Sequence, residues 1–353
     1  MSEGKSVLLL APSRGLGGGI ERYVQTVQSA FDEAGVTTRR LDLAQPGPAG
    51  HLALLARARA VLAGIPAPAR LVIAHRALLP VATALASAGR AAGISVICHG
   101  SDVWGSRWRP RWLAESTLMR RSGVRIVAVS SFTAGALFPG GQATVLPPGL
   151  SRAWYGELAA AGRAATGPAS GDGLEIMTAF RLAEWREKGL PELTEAIAAL
   201  GRGDVTLTVC GSGEPPDALR SHLRGYPWCR LCPGLSDAAL AACYARASLF
   251  VLATRTRCGR APCGEGFGLV LLEAQVAGTA VVGPAHGGSL AAYLDGVTGL
   301  TPRDEGAAAL AQVIGPLLSS PARLREMGEH GAAWAQARYA PDRYAAQVLD
   351  RLL

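Results

Sequence analysis

Short apolar runs alternate with helix-length segments along the chain. The runs of the first half are Val7–Ala11, Leu71–Ala74, Ile94–Cys98, Ile126–Val129 and Val145–Leu146, and the clearest helical segments between them are Ile20–Ala34 and Pro80–Ala92. A strand that is apolar at every position is buried on both faces, as in a parallel sheet that helices cover on each side. The alternation therefore predicts an α/β fold with doubly wound parallel sheets.

The alternation starts again after a small, polar and glycine-rich stretch, Gly156–Gly173, which we interpret as a linker. The strands predicted in the second half are Glu175–Phe180, Thr206–Cys210, Leu249–Ala253 and Ala280–Gly283, and helical patterns follow at Ala307–Leu318 and Ala322–Tyr339. The sequence thus predicts two successive Rossmann-like halves. Such halves bind ligands at the carboxyl ends of their strands, so we expect a ligand in the crevice between them.

Composition and charge narrow the class of protein. The 353 residues are 49% hydrophobic and 18% charged, which allows a large core and excludes a disordered chain. The net charge of +8 favours anionic partners. The chain lacks the sequence signatures of RNA-recognition, zinc-finger and helix-turn-helix modules, so we expect no nucleic-acid partner. No apolar run reaches the ~18 residues of a membrane span, and His51–Ile65 is expected to be a mostly buried amphipathic helix.

The seven cysteines are an odd number, and the polar N-terminus has no signal-peptide pattern. We therefore expect reduced cysteines and a cytoplasmic protein. The spacings Cys229-x2-Cys232 and Cys258-x4-Cys263 could be read as two halves of a zinc site, but the second is loose and no histidine stands in a ligand pattern nearby. No metal is expected.

A glycine-rich loop, residues 12–22 (PSRGLGGGIER), joins the first strand to the first helix. Gly18 and Gly19 would let backbone N–H groups approach an anionic ligand at the helix N-terminus, although a tight turn is an equal explanation. The loop matches neither the dinucleotide fingerprint nor a P-loop. A nicotinamide-dependent dehydrogenase has little support, because Asp42 is the one candidate ribose ligand.

Two glutamates frame the start of an apolar helix in residues 265–273 (EGFGLVLLE). With Glu265 in the loop and Glu273 in the helix, both carboxylates can face one ligand over the helix N-terminus. Gly266 and Gly268 would offer backbone N–H groups to a phosphate, and carboxylates accept hydrogen bonds from sugar hydroxyls. By composition alone, two surface glutamates around a turn would be the commoner explanation.

Two cations, Arg181 and Lys188, follow the first strand of the second half. A guanidinium offers a fork of donors and an ammonium a compact charge, so the two suit a diphosphate. Glu184, Arg186 and Glu187 stand between them, and a solvated charged loop is the alternative.

The order of these motifs is specific. Six motifs follow one another along the second half of the chain: Arg181, Lys188-Gly189, Cys210-Gly211-Ser212-Gly213, Pro233–Asp237, the Glu265/Glu273 pair and Gly287-Gly288. In this order they resemble the retaining glycosyltransferases of family 4, over most of the chain and most strongly from Arg181 to Gly299. The resemblance implies the GT-B fold, in which two Rossmann-like domains face a cleft. The implied domains are an acceptor domain (1–160), a nucleotide-sugar donor domain (174–335) and a C-terminal helix (336–353) that packs back on the first domain.

The resemblance also implies residue roles. Arg181 and Lys188 would hold the donor diphosphate and stabilise the leaving group in place of a divalent metal. Glu273 would bind the donor ribose and Glu265 the donor sugar. The other implied donor contacts are Gly18 and Gly19 near the diphosphate, Leu235 near the base, Gly211, and the backbone of Gly266, Phe267, Gly268 and Leu269 around sugar and phosphate.

His99 follows the strand Ile94–Cys98, where a histidine of this family often contacts the donor sugar; Asp102 is a less certain neighbour. By composition alone, His99 would more often be structural. The chain departs from the family pattern at Phe180, Pro148-Gly149 and Ser289–Ala292, where glycine, Asn-Gly and a glutamate are usual. These departures concern donor-sugar recognition rather than the diphosphate site.

Two basic segments have several interpretations. The first contains Trp104, Arg107, Trp108, Arg109, Arg111, Trp112, Arg120, Arg121 and Arg125. It fits weak contact with an anionic membrane surface, an acceptor pocket or a cover for the core. The second, Arg255–Cys263, could bind an anionic group of the donor or acceptor, and a flexible loop is the favoured alternative.

The sequence therefore predicts a metal-independent, retaining glycosyltransferase. It would move a sugar from a nucleotide-diphosphate sugar, with UDP or GDP as the nucleotide, to a hydroxyl acceptor such as a natural product or a cell-surface glycan. A catalytically silent GT-B protein that binds a nucleotide sugar or a partner is the alternative.

Overall fold

The computed structural model describes residues 6–12, 18–65, 68–89, 91–100, 103, 110–137, 142–165, 173–257 and 263–353. These residues form two compact units. The first holds the described residues up to Ser151 together with Pro341–Leu353, and the second holds Arg152–Arg257 and Cys263–Ala340.

The first unit is a parallel sheet between helices. Its described strands are β1 (Ser6–Ala11), β2 (Thr37–Asp42), β3 (Ala69–Ile73), β4 (Ala91–Cys98), β5 (Val124–Ala128) and β6 (Thr144–Val145), in the order β2-β1-β3-β4-β5-β6. Its helices up to residue 151 are α1 (Gly19–Glu33), α2 (Pro48–Ala63), α3 (Leu79–Ala86), α4 (Pro110–Met119) and α5 (Ser131–Leu137). The central strands are fully buried at Leu8, Leu71 and Val96, as expected of a sheet covered on both faces.

The second unit repeats this plan. Its described strands are β7 (Leu174–Arg181), β8 (Val205–Ser212), β9 (Cys229–Pro233), β10 (Leu249–Val251), β11 (Val281–Val282) and β12 (Gly299–Leu300), in the order β12-β11-β10-β7-β8-β9 with all neighbours parallel. Its helices are α6 (Arg152–Ala164), α7 (Leu190–Ala199), α8 (Asp217–Leu223), α9 (Asp237–Arg246), α10 (Leu269–Val276), α11 (Ala307–Leu318) and α12 (Pro321–Tyr339). The predicted pair of doubly wound parallel sheets is confirmed.

The last helix, α13 (Pro341–Leu352), belongs to the first unit and packs on α1. Its buried residues, Tyr344, Val348 and Leu352, lie on one face. The Tyr344 ring covers Gly149 so closely that a Cβ there would lie 2.6 Å from ring carbons. The Ser95 hydroxyl also donates to the Leu352 carbonyl oxygen at 2.8 Å.

Three local predictions are wrong. The predicted linker is helical as far as Ala164, because alanines favour helix and Trp154 and Leu158 share one buried stripe. The helix predicted over Pro80–Ala92 ends at Ala86, before the left-handed Gly89. Helix α2 is not mostly buried, since only Gly50, Leu54, Ala58 and Leu62 point inward.

A buried ion pair joins α4 to the end of β3. Arg76 donates to Glu115 at 2.8 Å, and the two side chains are only 2% and 7% exposed. Arg76 also donates to the Trp112 carbonyl oxygen at 3.2 Å. The pair therefore holds the start of α4 against the sheet.

We predict that Glu115→Ala lowers the free energy of unfolding by about 3–5 kcal/mol, because it leaves a buried guanidinium without its charge partner. Chemical denaturation measures the change. Asp32→Ala, at an exposed position of the same unit, is the control and should change stability by less than about 0.5 kcal/mol. An equally small effect of Glu115→Ala would contradict the prediction.

Candidate functional site

The candidate site lies in the second unit, where the strand order reverses. Strands β7 and β10 are neighbours, yet the chain leaves them toward opposite edges of the sheet. Arg181 is the last residue of β7, and Thr254 follows β10 by three residues. The carboxyl ends of two such strands form the crevice in which doubly wound sheets bind ligands.

Lys188 is brought to this crevice by a turn that requires glycine. Gly189 has a φ of +69°, and a Cβ there would lie 2.0 Å from the Ala253 carbonyl oxygen. The Lys188 amide also donates to the Glu184 carbonyl oxygen at 2.9 Å. The backbone that follows β7 therefore packs directly against the backbone that follows β10.

Lys188, Glu265 and Thr254 form one hydrogen-bonded cluster. Lys188 Nζ donates to Glu265 Oε1 at 2.6 Å, and Thr254 Oγ1 donates to the same oxygen at 2.8 Å. The Lys188 and Glu265 side chains are 18% and 13% exposed. The Glu265 carbonyl oxygen accepts from the Gly288 amide at 2.7 Å, which fixes the backbone of the cluster.

The charge of Lys188 is maintained by its partner. Burial lowers the pKa of Lys188, but the Glu265 carboxylate and, to a smaller extent, Glu184 raise it, so that the net pKa lies above the ordinary 10.5. Lys188 is therefore an ammonium throughout the physiological range and can face a phosphate.

Arg181 lies beside this cluster at the surface. It forms an ion pair of 2.6 Å with Glu184, and the two side chains are 43% and 41% exposed. Exposed pairs of this kind contribute little stability. The guanidinium can therefore exchange this carboxylate for a stronger anion at small cost.

The loop before α10 has the geometry of an anion site. Gly268 caps the helix in the left-handed conformation with a φ of +77°, and Leu269 begins the helix. Phe267 is buried and packs near the Tyr339 ring, while Gly266 is half-buried. The first amides of a helix have no partner within it and attract negative charge.

Glu273 lies inside α10 with its carboxylate bound on both oxygens. Trp154 Nε1 donates to Oε1 at 2.9 Å and the Tyr244 hydroxyl to Oε2 at 2.7 Å, and Glu273 is only 3% exposed. These bonds tie α6 and α9 to α10. An ionised carboxylate has about four acceptor positions, and the predicted ribose contact would use those that remain. That contact stays a prediction.

Gly211 and Leu235 lie on the other side of β7. A Cβ at Gly211, in β8, would meet the Phe180 carbonyl oxygen at 2.1 Å, so glycine is required where these strands approach. Leu235 is half-buried in the loop between β9 and α9. No ligand contact tests their predicted roles.

The remaining predicted site residues lie in the first unit. His99 follows β4, where its Nε2 donates to the Ala74 carbonyl oxygen at 2.8 Å and its ring stacks near His75. Gly18 caps α1 with a φ of +104°, and Gly19 begins that helix, where a Cβ would meet no atom of the described residues within 4 Å. Residues 13–17 of the glycine-rich loop and Asp102 lie outside the described residues.

The basic segments are only partly described. The part of the chain that the structure describes does not include Trp104, Arg107, Trp108, Arg109, the Arg111 side chain or residues 258–262. Arg76 lies 5.2 Å over the Trp112 ring, and Arg125 donates to carbonyl oxygens at the end of α13. Arg255 pairs with Glu192 at 2.7 Å. These described members therefore have structural partners.

The described residues contain neither a candidate metal centre nor a helix that could span a membrane. No group of three His, Cys, Asp or Glu side chains in them could hold a metal ion. No helix in them is long and apolar enough to cross a bilayer. Cys229 and Cys232, the first half of the considered zinc site, lie in β9.

Thr254, Trp154 and Tyr244 were not among the residues predicted from the sequence. Thr254 had a usable signal, since it is the first polar residue after the apolar run of β10. Trp154 and Tyr244 meet Glu273 from 119 and 29 residues away, and no local pattern shows such contacts.

We predict that the stabilising contribution of Lys188 is lost only at strongly alkaline pH. Because its pKa is raised in the folded state, the contribution is complete below the ordinary pKa of 10.5 and falls as the pH rises through the folded value. The difference in Tm between wild type and Lys188→Met should be constant from pH 7 to about 10 and shrink above it. For Arg303→Met, an exposed control, the difference should stay flat; loss of the Lys188 difference by pH 9 would contradict the prediction.

Comparison with known proteins identifies the family. Residues 174–320 match the family model described as Glycosyl transferases group 1. The GDP-mannose-dependent alpha-(1-6)-phosphatidylinositol monomannoside mannosyltransferase of Mycobacterium tuberculosis is 30% identical over 283 residues, which are 76% of this chain and 72% of that enzyme. The Mycolicibacterium smegmatis enzyme of the same name is 30% identical over 67% of this chain, and the match spans 64% of its own length.

Solved structures share the fold. HepE of Anabaena, in complex with UDP and glucose, has a TM-score of 0.74 at 16% identity over 97% of this chain and 98% of that one. The sucrose-phosphate synthase of Thermosynechococcus elongatus has a TM-score of 0.76 at 19% identity over 98% of both chains. The expected GT-B fold is thereby confirmed, and the mycobacterial relatives show that the chain belongs to the group 1 glycosyltransferases.

Proposed function

We propose that the protein is a retaining, metal-independent glycosyltransferase that moves a sugar from a nucleotide-diphosphate sugar to a hydroxyl acceptor. The observation that carries this proposal is the Lys188–Glu265–Thr254 cluster beside Arg181 at the carboxyl ends of β7 and β10. It combines two cations for a diphosphate with a carboxylate for sugar hydroxyls.

In the proposed reaction, the acceptor oxygen forms a bond to the anomeric carbon on the face from which the diphosphate departs. The bond between that carbon and the diphosphate oxygen breaks, and the acceptor proton passes to the leaving diphosphate. Arg181 and Lys188 offset the charge that develops on the leaving group. Attack and departure on one face retain the anomeric configuration.

The names of related proteins indicate which donors to test first. The mycobacterial relatives are named for GDP-mannose, and HepE was solved with UDP-glucose. We therefore propose UDP or GDP as the nucleotide. A catalytically silent protein that only binds a nucleotide sugar is distinguished by an assay for transfer or donor hydrolysis with radiolabelled sugar.

We predict that Lys188→Ala lowers turnover at least ~100-fold, which corresponds to about 2.7 kcal/mol in the activation free energy. The reason is the loss of the ammonium that faces the leaving group. Radiolabelled sugar transfer measures the change. Arg303→Ala removes an exposed cation of the same unit and should leave turnover unchanged; near-normal turnover of Lys188→Ala would refute the proposed role.

We predict that one of the UDP-, GDP-, ADP- or TDP-sugars raises the Tm, because a ligand bound only to the folded state stabilises it. Glu273→Ala should weaken binding of that nucleotide at least roughly tenfold in calorimetry, as expected for lost hydrogen bonds to a charged group. Trp154→Phe breaks one tie of Glu273 without removing the carboxylate and is the matched control. Equal losses in both variants would show that Glu273 acts through packing alone.

A further inference from the structure

Thr254 is a buried polar residue at the centre of the candidate site. It is 1% exposed, and its hydroxyl donates to Glu265 Oε1 at 2.8 Å. The next two backbone amides are both hydrogen-bonded, since the Arg255 amide donates to the Glu187 carbonyl oxygen at 2.9 Å and the Thr256 amide donates to Glu305 Oε1 at 2.7 Å. Its hydroxyl therefore has a defined position.

The two oxygens of Glu265 differ in their environment. Oε1 accepts from both Lys188 and Thr254, whereas Oε2 accepts from no group among the described residues. An ammonium has three rotatable donors and can satisfy either carboxylate oxygen. A buried hydroxyl on a fixed backbone, in contrast, imposes one orientation on the carboxylate.

We propose that Thr254 is a positioning residue, which holds Oε1 of Glu265 so that Oε2 accepts a hydrogen bond from a hydroxyl of the donor sugar. This inference rests on the proposed function and adds a specific determinant of sugar recognition to it. Thr254 acts through Glu265 and does not itself contact the diphosphate. Its effect is therefore confined to the sugar part of the donor.

The test compares each nucleotide with its sugar conjugate: UDP with UDP-glucose, and GDP with GDP-mannose, in calorimetry on the full chain. Thr254→Val keeps the shape of the side chain and removes the hydroxyl. It should weaken binding of the sugar nucleotide roughly tenfold and binding of the nucleotide alone less than about twofold, in the range expected for one hydrogen bond to a charged group. Thr254→Ser restores the hydroxyl and should restore the wild-type difference in affinity between the sugar nucleotide and the nucleotide alone.

Thr178→Val is the matched control, since Thr178 is equally buried in the neighbouring strand β7. It should leave both affinities unchanged. Equal losses for nucleotide and sugar nucleotide in Thr254→Val, or no loss for either, would overturn the role of Thr254 while leaving the proposed function intact. A wild-type protein that binds none of these four probes would overturn this inference together with the proposed choice of UDP or GDP as the nucleotide.

Discussion

The ion pair between Lys188 and Glu265 connects two loops that are 77 residues apart in sequence. Neither charge is well solvated, and each is stable at this position because the other is present. Gly189 lets the first loop approach β10, and Gly288 holds the backbone of the second. The shape of the crevice at the switch point thus depends on one charge pair, on the close approach that Gly189 allows and on the hydrogen bond from the Gly288 amide.

The choice of lysine at this position is informative. Lys5 and Lys188 are the two lysines of the chain, and the other 33 basic residues are arginines. An ammonium is a compact charge that can pair with the mostly buried Glu265 carboxylate, whereas a guanidinium is planar and larger. Arg181 has the opposite environment, because 43% of its side chain is exposed. The two cations therefore differ in environment, since Lys188 is mostly buried and Arg181 lies at the surface.

The two glutamates of the 265–273 segment differ in their position relative to α10 and in their hydrogen-bond partners. Glu265 precedes α10 and has one oxygen without a described partner, whereas Glu273 lies one turn inside the helix and is held by Trp154 and Tyr244. Their spacing was visible in the sequence, but the burial that separates them depends on contacts with α6 and α9.

Burial on both faces explains which strands the sequence predicted. The inner strands β1, β4 and β7 are mostly buried and were found with errors of a few residues. Strand β2 (TTRRLD) was missed because an edge strand exposes polar residues, and β12 has only two residues. Arg181, Lys188 and Glu265 were singled out by their order along the chain, and the structure brings Lys188 and Glu265 into one ion pair. Thr254 was missed although it is the first polar residue after the apolar run of β10, since its significance comes from the oxygen that its hydroxyl contacts.

The positive charge of the chain is located outside the unit that contains the candidate site. Residues 1–151 carry 16 Lys and Arg against seven Asp and Glu, whereas the remaining residues carry 19 against 20. In the second unit, Arg202, Arg220 and Arg246 pair with carboxylates, as Lys188 does. The proposed diphosphate site there would depend on the local placement of two cations and a helix N-terminus rather than on net charge. The field of the whole protein instead favours anionic groups near the first unit.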